Sequence, residues 1–145
     1  MDFLWQLLIF LHVVTAAAWF GLSLRLGSQA RLAAAGESAI LEEGAHAVRL
    51  MNLMVLLTFV FSMGALLLGG GYPSQMQYHV ASLLIVLLAV VQFALIRPAW
   101  ARLGTEVKEG KEASARRVAM FAGIGHLMWL VMLVLMFWNR FAAVL

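Results

Sequence analysis

The sequence contains no cysteine. Disulfides, thiolate metal sites and cysteine nucleophiles are therefore excluded, and redox compartment cannot be read from it. Charge is nearly as scarce. Only 12% of residues are Asp, Glu, Lys or Arg against 64% apolar, a balance that belongs to a membrane bundle rather than to a domain folded in water. No carboxylate interrupts any of the long apolar runs, and there is no Gly-rich phosphate loop and no usable Ser/His/Asp arrangement. Hydrolysis and phosphoryl transfer thus have no machinery here. The net charge of +3 comes from basic residues flanking the apolar runs, where they are topology signals rather than nucleic-acid contacts.

Four apolar stretches, 3–24, 50–68, 78–96 and 118–141, are each long enough to cross roughly 30 Å of hydrocarbon at about 1.5 Å per residue. They predict an all-α fold: one transmembrane domain over 1–145, an up-down antiparallel four-helix bundle joined by short connections. The first segment is too long for a signal-peptide core and reads as a retained helix. Thr15, Asn52, Thr58, Ser62 and Ser82 are mild polar interruptions that a helix satisfies by bonding back to its own carbonyls. Arg25, Arg31 and Arg49 gather in the first connection, and Arg97, Arg102, Lys108, Lys111, Arg116 and Arg117 in the third, whereas Gly69 to Gln75 has no basic residue. The positive-inside rule then places both termini outside, in a multi-pass protein of a bacterial-type cytoplasmic (inner) membrane. Ser38 is placed to cap a turn leading into the second span, Pro98 to end the third helix, and Trp5, Tyr78, Trp100 and Trp138 to act as interfacial anchors. Small residues at Ala16, Ala17, Ala18, Gly21, Gly64, Ala65, Ala119, Ala122 and Gly123 mark close helix approach, or room beside a flat cofactor.

Ionisable groups inside a span are costly, so the four histidines carry most of the functional information. His12 lies about nine residues from one end of the first span and His126 about nine from the opposite-facing end of the fourth. Both fall near the bilayer midplane on this count. At one depth they would suit bis-histidine ligation of a haem b iron, with Trp19 on the His12 stripe forming part of the wall. Taken singly, each histidine is also accounted for by a bond to a carbonyl or hydroxyl of a neighbouring helix. His79, a turn inside the third span, is a candidate for a second metal contact, haem or copper, and equally for solvation at the interface. His46, a turn from Glu42 and Glu43, reads as a surface residue. Arg25, Arg49 and Arg97 are candidate partners of haem propionates, with anionic lipid headgroups as competitors. The nine methionines include soft donors for Cu(I) or haem, although their helical spacing is that of core filler.

The run Leu11-His12-Val13-Val14-Thr15-Ala16-Ala17-Ala18-Trp19-Phe20-Gly21 resembles the opening of the CopD-like copper-resistance membrane domain. It is also similar to the HemJ-type protoporphyrinogen oxidases, with a histidine seven residues ahead of a tryptophan followed by small residues. The resemblance implies a compact membrane bundle holding a b-type haem with His12 as its ligand. Two positions depart from the HemJ pattern: Ala81 stands where those enzymes carry a third-helix lysine, and Gly27 where they carry a proline. The expectation is a membrane haem protein with an electron-transfer or haem-linked redox role, exchanging electrons with a redox partner or a quinone. Copper handling, porphyrinogen oxidation and an accessory role in a homo-oligomer or larger membrane complex are the competing readings.

Overall fold

The computed structural model describes residues 2–69, 76–109 and 113–142, with side chains through Trp138. Among these the chain is entirely helical. Helix α1 spans Asp2–Ala34 and α2 Ser38–Leu68. A third continuous helix is made of α3 (Met76–Val90), a π-helical segment (Val91–Ile96), α4 (Arg97–Glu106) and a 3₁₀ turn (Val107–Glu109). Helix α5 spans Ala113–Ala142. Four helices are thus long and apolar enough to cross a membrane. Phe3, Phe10, Val60, Leu67, Met76 and Leu83 are each more than half exposed. So much outward apolar surface suits lipid as the surrounding phase and would drive aggregation in water.

The first connection shrinks to Ala35, Gly36 and Glu37, because α1 continues ten residues past the expected end of its span and α2 begins twelve residues before the expected start of the next. Gly36 adopts φ 104°, a conformation that only glycine takes without strain, and so turns the chain into α2. Ser38 is the first helical residue rather than the cap: Glu37 holds that place without a side-chain hydrogen bond. The glycine-rich second connection beyond Gly69 and the Lys111–Glu112 part of the third lie outside the described residues. Arg140 belongs to α5, but its side chain also lies outside them.

Pro98 does not end the third helix. The helix widens before it, with the Arg97 amide bonding the Gln92 carbonyl five residues back. The wider turn gives the proline ring room over the carbonyl it would otherwise strike, so the helix runs on. The same widening turns Gln92 fully into the core, where its Oε1 accepts from Trp19 Nε1 (3.2 Å) and its Nε2 donates to Asn52 Oδ1 (2.8 Å). Asn52 is therefore satisfied across helices, while Thr15, Thr58 and Ser82 do bond back to the Leu11, Met54 and Tyr78 carbonyls. Gln92→Leu strands the Trp19 indole N–H and the Asn52 amide at once. A loss of about 1–3 kcal/mol in detergent unfolding is expected, and an unchanged transition would show that the network contributes nothing.

Helix α1 packs chiefly on α2 and then on α5, and α3 packs on both α2 and α5. Along the α1/α5 seam Ala16 meets Trp129, Phe20 meets His126 and Gly27 meets Ala119. The two ends of the bundle differ in how completely they are filled. Toward Arg25, the side chains of Leu26, Met51, Ile96, Leu103 and Val118 are fully buried in one continuous core. Trp100 belongs to this core rather than to an interfacial belt, its ring lying against Gly44 with no space for a Cβ. Toward Trp5 the packing is looser. Gly21 and Gly123, expected at helix contacts, have no neighbour near their Cα hydrogens and face outward.

Candidate functional site

Two adjoining voids of about 160 Å³ and 260 Å³ lie in the loosely packed half of the bundle. His12, Val13 and Met136 line both. The first void continues toward Trp19, Thr58, Leu88, Trp129 and Met132, and its walls are almost wholly apolar. The second continues toward Trp5, and Ser62, Tyr78 and Ser82 bring hydroxyl groups to that end. No charged side chain lines either void among the described residues. His12 therefore stands at the junction of an apolar compartment and a weakly polar one.

The orientation of that imidazole follows from α2. Thr58 turns its hydroxyl toward the Met54 carbonyl (2.7 Å) and the Thr15 hydroxyl (3.0 Å), a bond that ties α2 to α1 beside His12. The Thr58 carbonyl lies 3.2 Å from His12 Nδ1 and can only accept, so Nδ1 carries the proton. A neutral imidazole held in this way has its lone pair on Nε2. A metal-ligating histidine is oriented by the same device, its other ring nitrogen donating to a backbone carbonyl. The wall opposite is equally constrained: Trp129 donates from Nε1 to the Ala16 carbonyl (3.1 Å) and stacks on Phe20 at 4.3 Å between centroids.

His126 is not brought to this place. Its Nε2 lies 2.8 Å from Ser23 Oγ, and its ring meets the edge of Phe20 at 5.3 Å. Ser23 Oγ also lies 2.8 Å from the Phe20 carbonyl, so the hydroxyl and the imidazole share one hydrogen bond beside that carbonyl. Phe20 and Ser23 follow His12 on α1 by eight and eleven residues, which sets His126 about 12–16 Å farther along the bundle. The expectation that His12 and His126 face each other at one depth is corrected accordingly. Counting inward from the ends of two apolar runs assumes that the runs begin at equal heights, and the packing register of α5 on α1 shifts them. The bonds to the Thr58 carbonyl and the Ser23 hydroxyl are the cross-helix partners that either histidine alone would seek in an apolar surrounding.

The remaining sequence candidates separate in the same way. Trp19 is a wall of the first void and is held there by Gln92. His79 is exposed and lines neither void, although the preceding Tyr78 does. His46 is exposed. Arg25 is at the other end of the bundle, its exposed guanidinium 3.9 Å from Glu43, whose carboxylate also accepts from Gln29 at 3.0 Å. Thirteen residues, about 20 Å of helix, separate it from His12. Thr58, Trp129, Met136 and Tyr78 complete the site without a motif to announce them. Their only trace in the sequence is residue type, a hydroxyl, a thioether or an aromatic amid aliphatic neighbours. No family model, curated protein or solved structure matches this chain.

Proposed function

We propose that this chain is a multi-pass protein of a bacterial-type cytoplasmic membrane, an up-down antiparallel bundle with both termini outside, that holds a b-type haem on His12 for electron transfer or haem-linked redox chemistry. The observation that carries this reading is the place of His12: between two voids, anchored through Nδ1, with Nε2 left for a ligand. Met136, on the facing helix, is the other donor-bearing side chain common to both voids. Imidazole with thioether is an established axial pair for haem iron, and thioether ligation raises the potential. The apolar walls toward Trp19 and Trp129 suit the macrocycle, and the hydroxyl groups of Ser62, Tyr78 and Ser82 suit its polar edge. When bound, the haem would supply one-electron chemistry. His12 would hold it through Nε2, and the apolar walls and the surrounding bundle would shield it from water.

In this reading His126 is no axial partner of His12, and Arg25 is no propionate partner. The cation closest to Met136 along α5 is Arg140, one helical turn on. Electron exchange is with a membrane redox partner or a quinone. The inner-face arginines meet anionic lipid headgroups, and the short connections leave the assembly state to the lipid-facing surfaces. Cu(I) handling would draw on the same His12 and Met136 pair, and metal analysis separates the two. Protein purified after growth with added haem is expected to show a Soret band, a sharpened α-band on reduction, and iron rather than copper. A haem-supplied sample without a Soret band would sink the haem reading.

A further inference from the structure

The residues that line the two voids differ sharply in which of them also face the outside of the bundle. Among the described lining residues, those that do are Ile9, Val13 and Ala17 on α1 and Leu133 and Phe137 on α5. Each set repeats every fourth residue, so each is a single row along the edge of its helix. The lining residues contributed by α2 and α3 are buried or half-buried throughout. Val13 and Phe137 are 54% and 49% exposed, yet both border internal space. The voids therefore reach the surface between α1 and α5.

Below this stretch the same seam is fastened. Trp129 bonds the Ala16 carbonyl, Phe20 stacks on Trp129, His126 bonds Ser23, and Gly27 lies against Ala119 at 3.4 Å from where its Cβ would be. Helices α1 and α5 are fastened from Ala16 toward Ala119, and beyond Ala16 their edges border the voids instead. Every side chain at these edges is aliphatic or aromatic, and no charge lines the space behind them among the described residues. An opening of this composition on a membrane-spanning surface faces acyl chains rather than water. A hydrated metal ion or a polar metabolite has no favourable path through it, because each would shed its water against purely apolar groups.

We infer that the α1/α5 seam is a lateral portal through which a porphyrin dissolved in the bilayer enters the His12 compartment. The inference rests on the haem reading for the identity of the ligand, and on the exposed rows of α1 and α5 for the route. The apolar face of the macrocycle would pass between the Val13 and Leu133 rows toward His12 and Met136, while its two carboxylates, which meet the same desolvation penalty, would stay toward the headgroups at the Trp5 end. The site is thus loaded from, and emptied into, the lipid phase, without a soluble carrier at the Trp5 end.

The test uses the full chain in lipid nanodiscs, with haemin supplied from a second population of vesicles and uptake followed by the Soret band. Val13→Trp is expected to slow uptake at least tenfold. Leu53→Trp, on the exposed outer face of α2, is expected to leave the rate alone. Because the chain has no cysteine of its own, Val13→Cys combined with Leu133→Cys lets a short bis-methanethiosulfonate span the opening reversibly. Bridging before loading should stop uptake, bridging after loading should keep bound haem from leaving, and reduction should reverse both. Wild-type uptake by Val13→Trp, or by the bridged double variant, would overturn the portal. If haemin gives no Soret band in any form, metal-free protoporphyrin is the second probe, read by quenching of tryptophan emission, since Trp19 and Trp129 line the first void. Saturable quenching slowed by bridging the Val13→Cys and Leu133→Cys pair would keep the portal and discard the haem. No saturable quenching would discard both.

Discussion

His12→Ala is expected to abolish the Soret band of haem-supplied protein, whereas His126→Ala leaves its position and intensity unchanged. The asymmetry is the sharpest consequence of the packing register. His12 borders both voids with Nε2 unengaged, while His126 lies eight to eleven residues farther along α1, on Ser23 and Phe20. Two nitrogens can ligate one iron only if they stand about 4 Å apart, given metal–nitrogen bonds near 2 Å, and an axial offset of about 12 Å or more forbids that. Met136→Ala is the informative companion. Loss of a thioether ligand should shift the reduced spectrum and lower the midpoint potential while haem remains bound through His12. Equal loss of the band in His12→Ala and His126→Ala would mean that the bis-histidine arrangement is the real one and that α5 is displaced along α1.

The second large effect concerns the filled half of the bundle. Gly44→Ala should destabilise the protein more than any other single methyl addition at a glycine, because the new Cβ would occupy space held by the Trp100 ring. Trp100 is a rigid bicyclic side chain in the continuous core, with Leu103 fully buried one turn on, and so it has no free rotamer to retreat to. Overpacking of this kind costs about 1–3 kcal/mol where the core can shift and more where it cannot. Gly125→Ala is a milder version of the same experiment, with Trp19 at 2.7 Å from the added carbon. Gly21→Ala, which meets nothing, is the control. Thermal unfolding in detergent should rank them in that order, and an unperturbed Gly44→Ala would refute the close contact of α2 with α4.

How far the fold was readable before the helices were assembled depends on which property carried it. Length and hydropathy were enough for four helices able to cross a membrane, because that signal is summed over some twenty residues and tolerates local error. Helix ends were less legible. The apolar run of α1 stops near Leu24, but the helix continues to Ala34, since helical propensity does not fall when polarity rises. Pro98 misled for a related reason: the penalty it carries is local, and one π-helical turn ahead of it absorbs that penalty. Trp100 was indistinguishable in the sequence from an interfacial tryptophan until Gly44 was seen to leave a slot for it.

The site divides along the same line. A histidine in an apolar run is legible at once, because an imidazole in hydrocarbon must find a partner, and residue type alone marked His12 and His126 as exceptional. Residue type could not say which partner each had found. The sequence by itself determined the solvent, the number of helices and the few side chains able to do chemistry, all of which follow from composition and spacing along one chain. Only the tertiary structure decided that His12 borders two voids with Met136, that His126 and Arg25 stand elsewhere, and that outward-facing rows of α1 and α5 border the same voids. Those facts depend on the rotation and axial shift of one helix against another. Such shifts are set by how Gly27 meets Ala119 and Trp129 meets Ala16, contacts between positions more than ninety residues apart that no local pattern encodes.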